Sequence, residues 1–137
     1  MVLRFDRVAF GLLALVLVMF SAQQQARADQ PDVLTEQEIM AQIIGNTATS
    51  VGEAHGWSEL YQPDGAIRGS SVHADGQEHP MKGKWTVSGS EMCFNYVGSG
   101  DAGCWTISVA GNEITYYRNE KHKHNRATLL KGNPKNF

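Results

Sequence analysis

Cysteine is nearly absent from this chain of 137 residues: Cys93 and Cys104 are its only two. They stand too far apart for a CxxC redox pair, no CxxCH haem attachment motif occurs, and two cysteines alone do not complete a zinc site. An excess of positive charge is missing too. Twelve Lys and Arg stand against 14 Asp and Glu. A mildly acidic chain without a basic patch argues against nucleic acid as a partner and offers no polybasic attraction to anionic membranes. There is no long apolar run. Val8–Phe20 is the best candidate and falls short of the roughly 20 residues that span a bilayer. Signatures of common catalysis are likewise missing: no GxSxG elbow, no phosphate loop, no dinucleotide fingerprint. Enzyme is therefore the weaker class, and no cofactor is expected.

What is there begins with an address. Arg4 and Arg7 precede the apolar run Val8–Phe20, and a polar segment then ends in Ala26-Arg27-Ala28. Basic n-region, apolar core and small-x-small cleavage motif together read as a secretory signal peptide, 1–28, cut after Ala28. No cysteine stands just after the cut, the first being Cys93, so a lipid anchor is not expected. The mature protein is predicted to be periplasmic or secreted, with no membrane anchor. The leader carries three basic residues and one acidic one, so the remainder is more acidic than the whole. It suffices for one small domain with a modest core: a tether, 29–34, and a single β-rich domain, 35–137.

That domain opens with one helix. Thr35 is a natural N-cap, and Glu38 three residues on completes a capping box. Leu34 and Ile39 are placed for a hydrophobic staple. Ile39, Met40, Ile43 and Ile44 form an apolar stripe, and Gly45 ends the helix predicted over Glu36–Ile44. After Gly45 the apolar period switches to two. Short β-rich runs are predicted at 47–53, 57–61, 66–72, 81–87, 91–96, 104–109, 113–118 and 122–130, separated by turn residues. No second helix interrupts them, so antiparallel neighbours are expected. Trp85, Val87, Met92, Phe94, Trp105, Ile107, Val109, Ile114 and Tyr116 fall on one parity of their strands. Trp57 and Tyr61 share it, and so does Glu59. The fold predicted is mainly β: an antiparallel meander of about eight strands, closing into a small barrel or, alternatively, forming a β-sandwich, with one short N-terminal helix. The large inward residues, set against few inward glycines or alanines, predict a largely filled barrel. Any ligand is then confined to one mouth, and the helix covers the other.

Both cysteines fall in this strand region, on either side of a glycine-rich turn. If Cys93 lies opposite Cys104, Met92 faces Trp105 and Asn95 faces Ala102. Both sulfurs then share one face and the large apolar residues the other. In an exported protein this pair is expected to oxidise into a cross-strand disulfide.

The series Trp57-x-Glu59-x-Tyr61-x-Pro63-Asp64-Gly65-x-Ile67-Arg68-Gly69, then Gly83-x-Trp85, Cys93, Cys104-Trp105 and Gly132-Asn133-Pro134 resembles a group of small exported bacterial proteins of unknown function. Gly83-x-Trp85 also resembles the lipocalin and wider calycin pattern, in which the motif opens the first strand; here it falls mid-chain. The resemblance implies a calycin-like β-barrel. It covers most of the mature chain, and its motifs are structural ones.

Few residues propose chemistry. His122 and His124 form an H-x-H pair that on a strand would share a face, but lysines flank them and no third ligand follows at useful spacing. His55, His73 and His79 sit beside Gly or Pro in turn-like segments, where surface positions are expected. Ser71 lies near His73, yet a triad is defined by geometry and not adjacency. Arg68, if inward, needs a carboxylate or an anionic ligand. Glu59 across the Pro63-Asp64-Gly65 turn is the expected partner, and an anion site is the alternative. Val97, Gly98, Ser99, Gly100 and Asp101 form a turn suited to contact. Three functions follow. The first is a binding or accessory module for a small apolar ligand or a protein. The second is an inhibitor-like protein, faintly similar to bacterial lysozyme inhibitors, using loop 97–103. The third is a hydrolase built around Ser71 and His73.

Overall fold

The computed structural model describes residues 32–51, 56–119 and 122–137, with Asn119 and His122–His124 described by backbone alone. The predicted leader and its cleavage site, His55, and the side chains of His122 and His124 lie outside the described residues.

Helix α1, Glu36–Gln42, starts as its sequence dictates. The Thr35 hydroxyl accepts from the Glu38 amide, and Glu38 accepts in return from the Thr35 amide at 2.8 Å. Gln42 is the last helical residue, Ile43 is the C-cap, and Gly45 adopts φ +84°, a left-handed conformation that suits glycine. Ile39 and Ile43 are fully buried, whereas Met40 is exposed, so the stripe is narrower than predicted.

Eight antiparallel strands follow: β1 Thr47–Ser50, β2 Trp57–Tyr61, β3 Ala66–Val72, β4 Glu78–Ser88, β5 Glu91–Tyr96, β6 Ala102–Ala110, β7 Glu113–Asn119 and β8 His122–Leu130. Each pairs with its sequence neighbours, and β1 pairs with β8, so the meander closes into a barrel. Closure removes the sheet edges and excludes the sandwich. β4 begins three residues earlier than predicted, taking in Glu78, His79 and Pro80. Its last pair toward β5 is Gly83 with Tyr96. The Glu78–Lys82 stretch therefore overhangs that neighbour, which is where a strand tolerates proline.

The two ends of the barrel differ. At the end where β1 begins, Ile39 and Ile43 of α1 join Tyr61, Ile67, Met92, Ile107 and Ile114 in a core with no accessible surface to speak of. Trp85, 8% exposed, closes this end by donating its indole N–H to the Gln62 carbonyl at 2.8 Å. Val33 bridges to Ser108, and the Leu34 amide donates to the Ile107 carbonyl, filling the gap beyond the first residue of β5. The C-terminal segment is tied to the outer wall, where Gly132 accepts from the buried Thr47 hydroxyl and donates to the Asn46 side chain.

Cys93 and Cys104 are directly opposite and joined in a disulfide. The register predicted around them holds: Met92 faces Trp105 and Asn95 faces Ala102. Phe94 and Met92 are buried on the inner face and the disulfide lies on the outer one.

Candidate functional site

Among the described residues the end opposite the helix is open. A cavity of about 680 Å³ lies there, lined by side chains that include Trp57 of β2, Phe94 and Tyr96 of β5, Trp105 of β6, Tyr116 of β7 and Met81 of β4. Four strands supply the aromatic residues and a fifth the methionine. The expectation that any ligand space is confined to one mouth agrees with this. The expected scarcity of small inward residues does not. Ala48, Gly69, Gly83, Gly103 and Ala127 all share the inward register. At Gly103 and Gly83 the missing side chain leaves room for a ring. A Cβ at Gly103 would stand 2.6 Å from the Trp105 ring, and one at Gly83 would stand 3.1 Å from the Tyr96 ring. Gly83 and Gly103 thus set where the aromatic walls rest.

At the floor is a buried polar cluster. Glu59 points inward from β2, between Ala48 and Gly69, the small residues opposite it on its two neighbouring strands. It is 3% exposed. Tyr61 donates to its Oε1 at 2.7 Å, and Tyr96 donates to Oε2 at 2.8 Å. The Tyr61 and Tyr116 hydroxyls lie 3.1 Å apart. A phenol has one proton. Tyr61 spends its own on Glu59, so Tyr116 is the donor to Tyr61. Burial pushes the Glu59 carboxyl above its ordinary range, and the hydrogen bonds from Tyr61 and Tyr96 offset part of that rise. Burial and the nearby Glu59 carboxylate push Tyr61, Tyr96 and Tyr116 upward, so all three stay neutral phenols able to donate.

Arg68 is not part of this cluster, which corrects the predicted Arg68–Glu59 pair. Arg68 sits opposite Leu60, one position out of phase with Glu59, and is exposed on the outer face. A one-residue offset on a strand puts two side chains on opposite faces. The inward acid is answered by tyrosines instead. Tyr96 was legible in principle: it is two residues after Phe94 and shares its parity.

The other predicted residues gather at the rim. Ser71 Oγ lies 3.1 Å from Nε2 of His73. The His73 ring packs against His79 at 4.3 Å between centroids, and the Asp75 carboxylate reaches His79, at 3.6 Å. The acid that would orient His73 in a triad is thus on the other histidine. Loop 97–101 is exposed, Val97 most of all at 77%. Gly98 and Gly100 have φ +91° and +74°, and Asp101 lines the cavity. Among the described residues no group of three His, Cys, Asp or Glu could hold a metal. No helix among them is long and apolar enough to cross a membrane.

No known protein family, curated protein or solved structure matches this chain.

Proposed function

We propose that the protein is an exported small-ligand binding module that holds its ligand in the open mouth of the barrel. The observation that carries this reading is the aromatic-walled cavity of about 680 Å³, open among the described residues while the opposite end is packed solid. Small-molecule sites are commonly concave, mostly apolar and supplied with a few placed polar groups. Five aromatic side chains and the Glu59 cluster meet that description. The Cys93–Cys104 disulfide supports an oxidising compartment, in agreement with the leader read from the sequence.

Trp57 and Trp105 line the cavity, so their fluorescence is the direct probe. Titration with a panel of small aromatic and aliphatic compounds should change the emission and raise the unfolding temperature for those that bind. Ser71→Trp, which fills the mouth, should abolish both effects. Emission changes that persist in this variant would place binding elsewhere.

A second reading keeps loop 97–103 as a contact surface for another protein. It is favoured by Val97, the most exposed large apolar side chain described. Capture of a periplasmic partner that is lost with Val97→Asp would support it.

A further inference from the structure

We propose that the ligand is a small organic cation: a protonated amine that sits on the Glu59 carboxylate with its apolar body against the rings of Trp57, Phe94 and Trp105. This inference rests on the ligand-binding reading above and adds the chemical class.

The floor of the cavity is short of donors. Tyr61 and Tyr96 direct their protons at Glu59, and Tyr116 directs its own at Tyr61. What the cluster still offers a ligand is acceptor capacity. A carboxylate has about four lone-pair sites, and phenol oxygens accept as well. An ammonium group brings up to three N–H donors and no acceptor, which matches that offer.

Charge points the same way. A buried carboxylate is costly without a cation or a full set of hydrogen bonds. Among the described residues the ion pairs are Arg126 with Glu113 and His79 with Asp75, neither of which involves Glu59. The charged residues that also line the cavity, Asp101 and Arg118, are exposed. The place of a counter-ion at Glu59 is therefore open to a ligand arriving through the mouth.

The walls complete the fit. Phe94 lies 5.3 Å from Trp105 and 6.2 Å from Tyr116, and Trp57 lies 6.4 Å from Tyr116, between ring centroids. Aromatic faces attract cations, and the attraction grows when water is excluded.

The test uses amines and their neutral isosteres on the disulfide-bonded protein: 2-phenylethylamine against 2-phenylethanol, and tryptamine against tryptophol. Affinity is read by calorimetry at pH 7. Each amine should bind at least about ten-fold tighter than its alcohol, about 1.4 kcal/mol. Glu59→Gln should erase the preference of amine over alcohol. The wild-type comparison decides even if that variant fails to fold. Alcohols binding as tightly as amines would overturn the cation assignment and leave the ligand-binding reading standing. If no probe binds here and no compound of the broader panel binds, both are overturned.

Discussion

Tyr96 on β5 brings its hydroxyl to 2.8 Å from the Glu59 carboxylate on β2, joining through the interior two strands that share no ladder. Tyr61 and Tyr116 extend the connection to β7. Four side chains thus tie three separated strands at the level where the packed half of the barrel gives way to the open half. The polar cluster is both a floor for the cavity and a cross-brace.

Tyr61→Phe should therefore do more than delete one hydroxyl. It removes a donor from Glu59 and leaves Tyr116 without its acceptor. Leaving buried polar groups unsatisfied costs about 1–3 kcal/mol, and a loss in that range is expected by chemical denaturation. A loss under about 0.5 kcal/mol, the scale of ordinary surface substitutions, would mean that Tyr116 finds another partner.

Glu59 also sets a pH dependence of the ligand-free protein. Its carboxyl is raised in the folded state, so between its unfolded and folded values the native state binds more protons than the unfolded one. Stability from this group is complete below the unfolded value and is lost as pH rises through the folded one. Glu38 and Asp75 work in the opposite sense. Hydrogen bonds with the Thr35 and Gln77 amides depress their carboxyls, so their contribution is lost as pH falls. The difference between wild type and Glu59→Gln isolates the buried group. Stability of wild type relative to the variant should fall with rising pH above the ordinary glutamate range and then level off. A difference that rises with pH would mean that the folded state favours the ionised Glu59 carboxyl over the protonated one.

Much of this arrangement was written locally. The Thr35–Glu38 box, the parity of Phe94, Trp105 and Tyr116, and the Cys93–Cys104 register each depend on residues near one another in sequence, where period and turn length suffice. The pairing of β1 with β8 depends on contacts between the ends of the domain, which no local period encodes. Glu59 stands out on an apolar face in the sequence because Tyr96, which donates to it, and Tyr116, which bonds its other partner Tyr61, lie on distant strands. In the sequence the inward glycines are indistinguishable from turn or motif residues. Their role is to make room for rings, and that appears only when the opposing strand is known.

The disulfide should stabilise without being needed for the topology. Oxidised protein should be lighter than reduced protein by two hydrogen atoms, and reduction should cost about 2–3 kcal/mol for so short a loop. The β5–β6 ladder and the inward packing of Met92, Phe94 and Trp105 remain, so far-UV circular dichroism should keep its β signature. Loss of that signature on reduction would make the staple essential.

Trp85 and Trp105 were expected to be equivalent core residues, and they are not. Trp85 is buried at the closed end, whereas Trp105 is half-buried on the cavity wall. Trp85→Ala should cost about 3–5 kcal/mol, as for other core aromatics. Trp105→Ala should cost clearly less and instead weaken binding of any cavity ligand. Equal losses of stability would mean that the cavity wall is as tightly packed as the core.

Glycines offer the sharpest test of how the site is held, because they fail for different reasons at different places. A Cβ at Gly69 would lie 2.2 Å from the Ser58 carbonyl oxygen and 2.8 Å from the Glu59 Cα. Both are backbone atoms of β2 and cannot swing aside, so Gly69→Ala must push β2 away and move Glu59 with it. Overpacking costs typically about 1–3 kcal/mol and occasionally more, and the upper end is expected here. Gly111 has φ +64° in the β6–β7 turn, with nothing within 4 Å of an added Cβ. Gly111→Ala should cost only the strain of that conformation, about 1 kcal/mol, and leave the cavity untouched. Gly103→Ala meets the far end of the Trp105 side chain, which can move. It should alter Trp105 emission and ligand affinity with little loss of stability. Unfolding curves and fluorescence spectra of the three variants should therefore separate into a displaced strand, a strained turn and a shifted wall. If Gly69→Ala were no worse than Gly111→Ala, β2 would have slack beside Glu59, and the close seat of the carboxylate between Ala48 and Gly69 would not be what positions it.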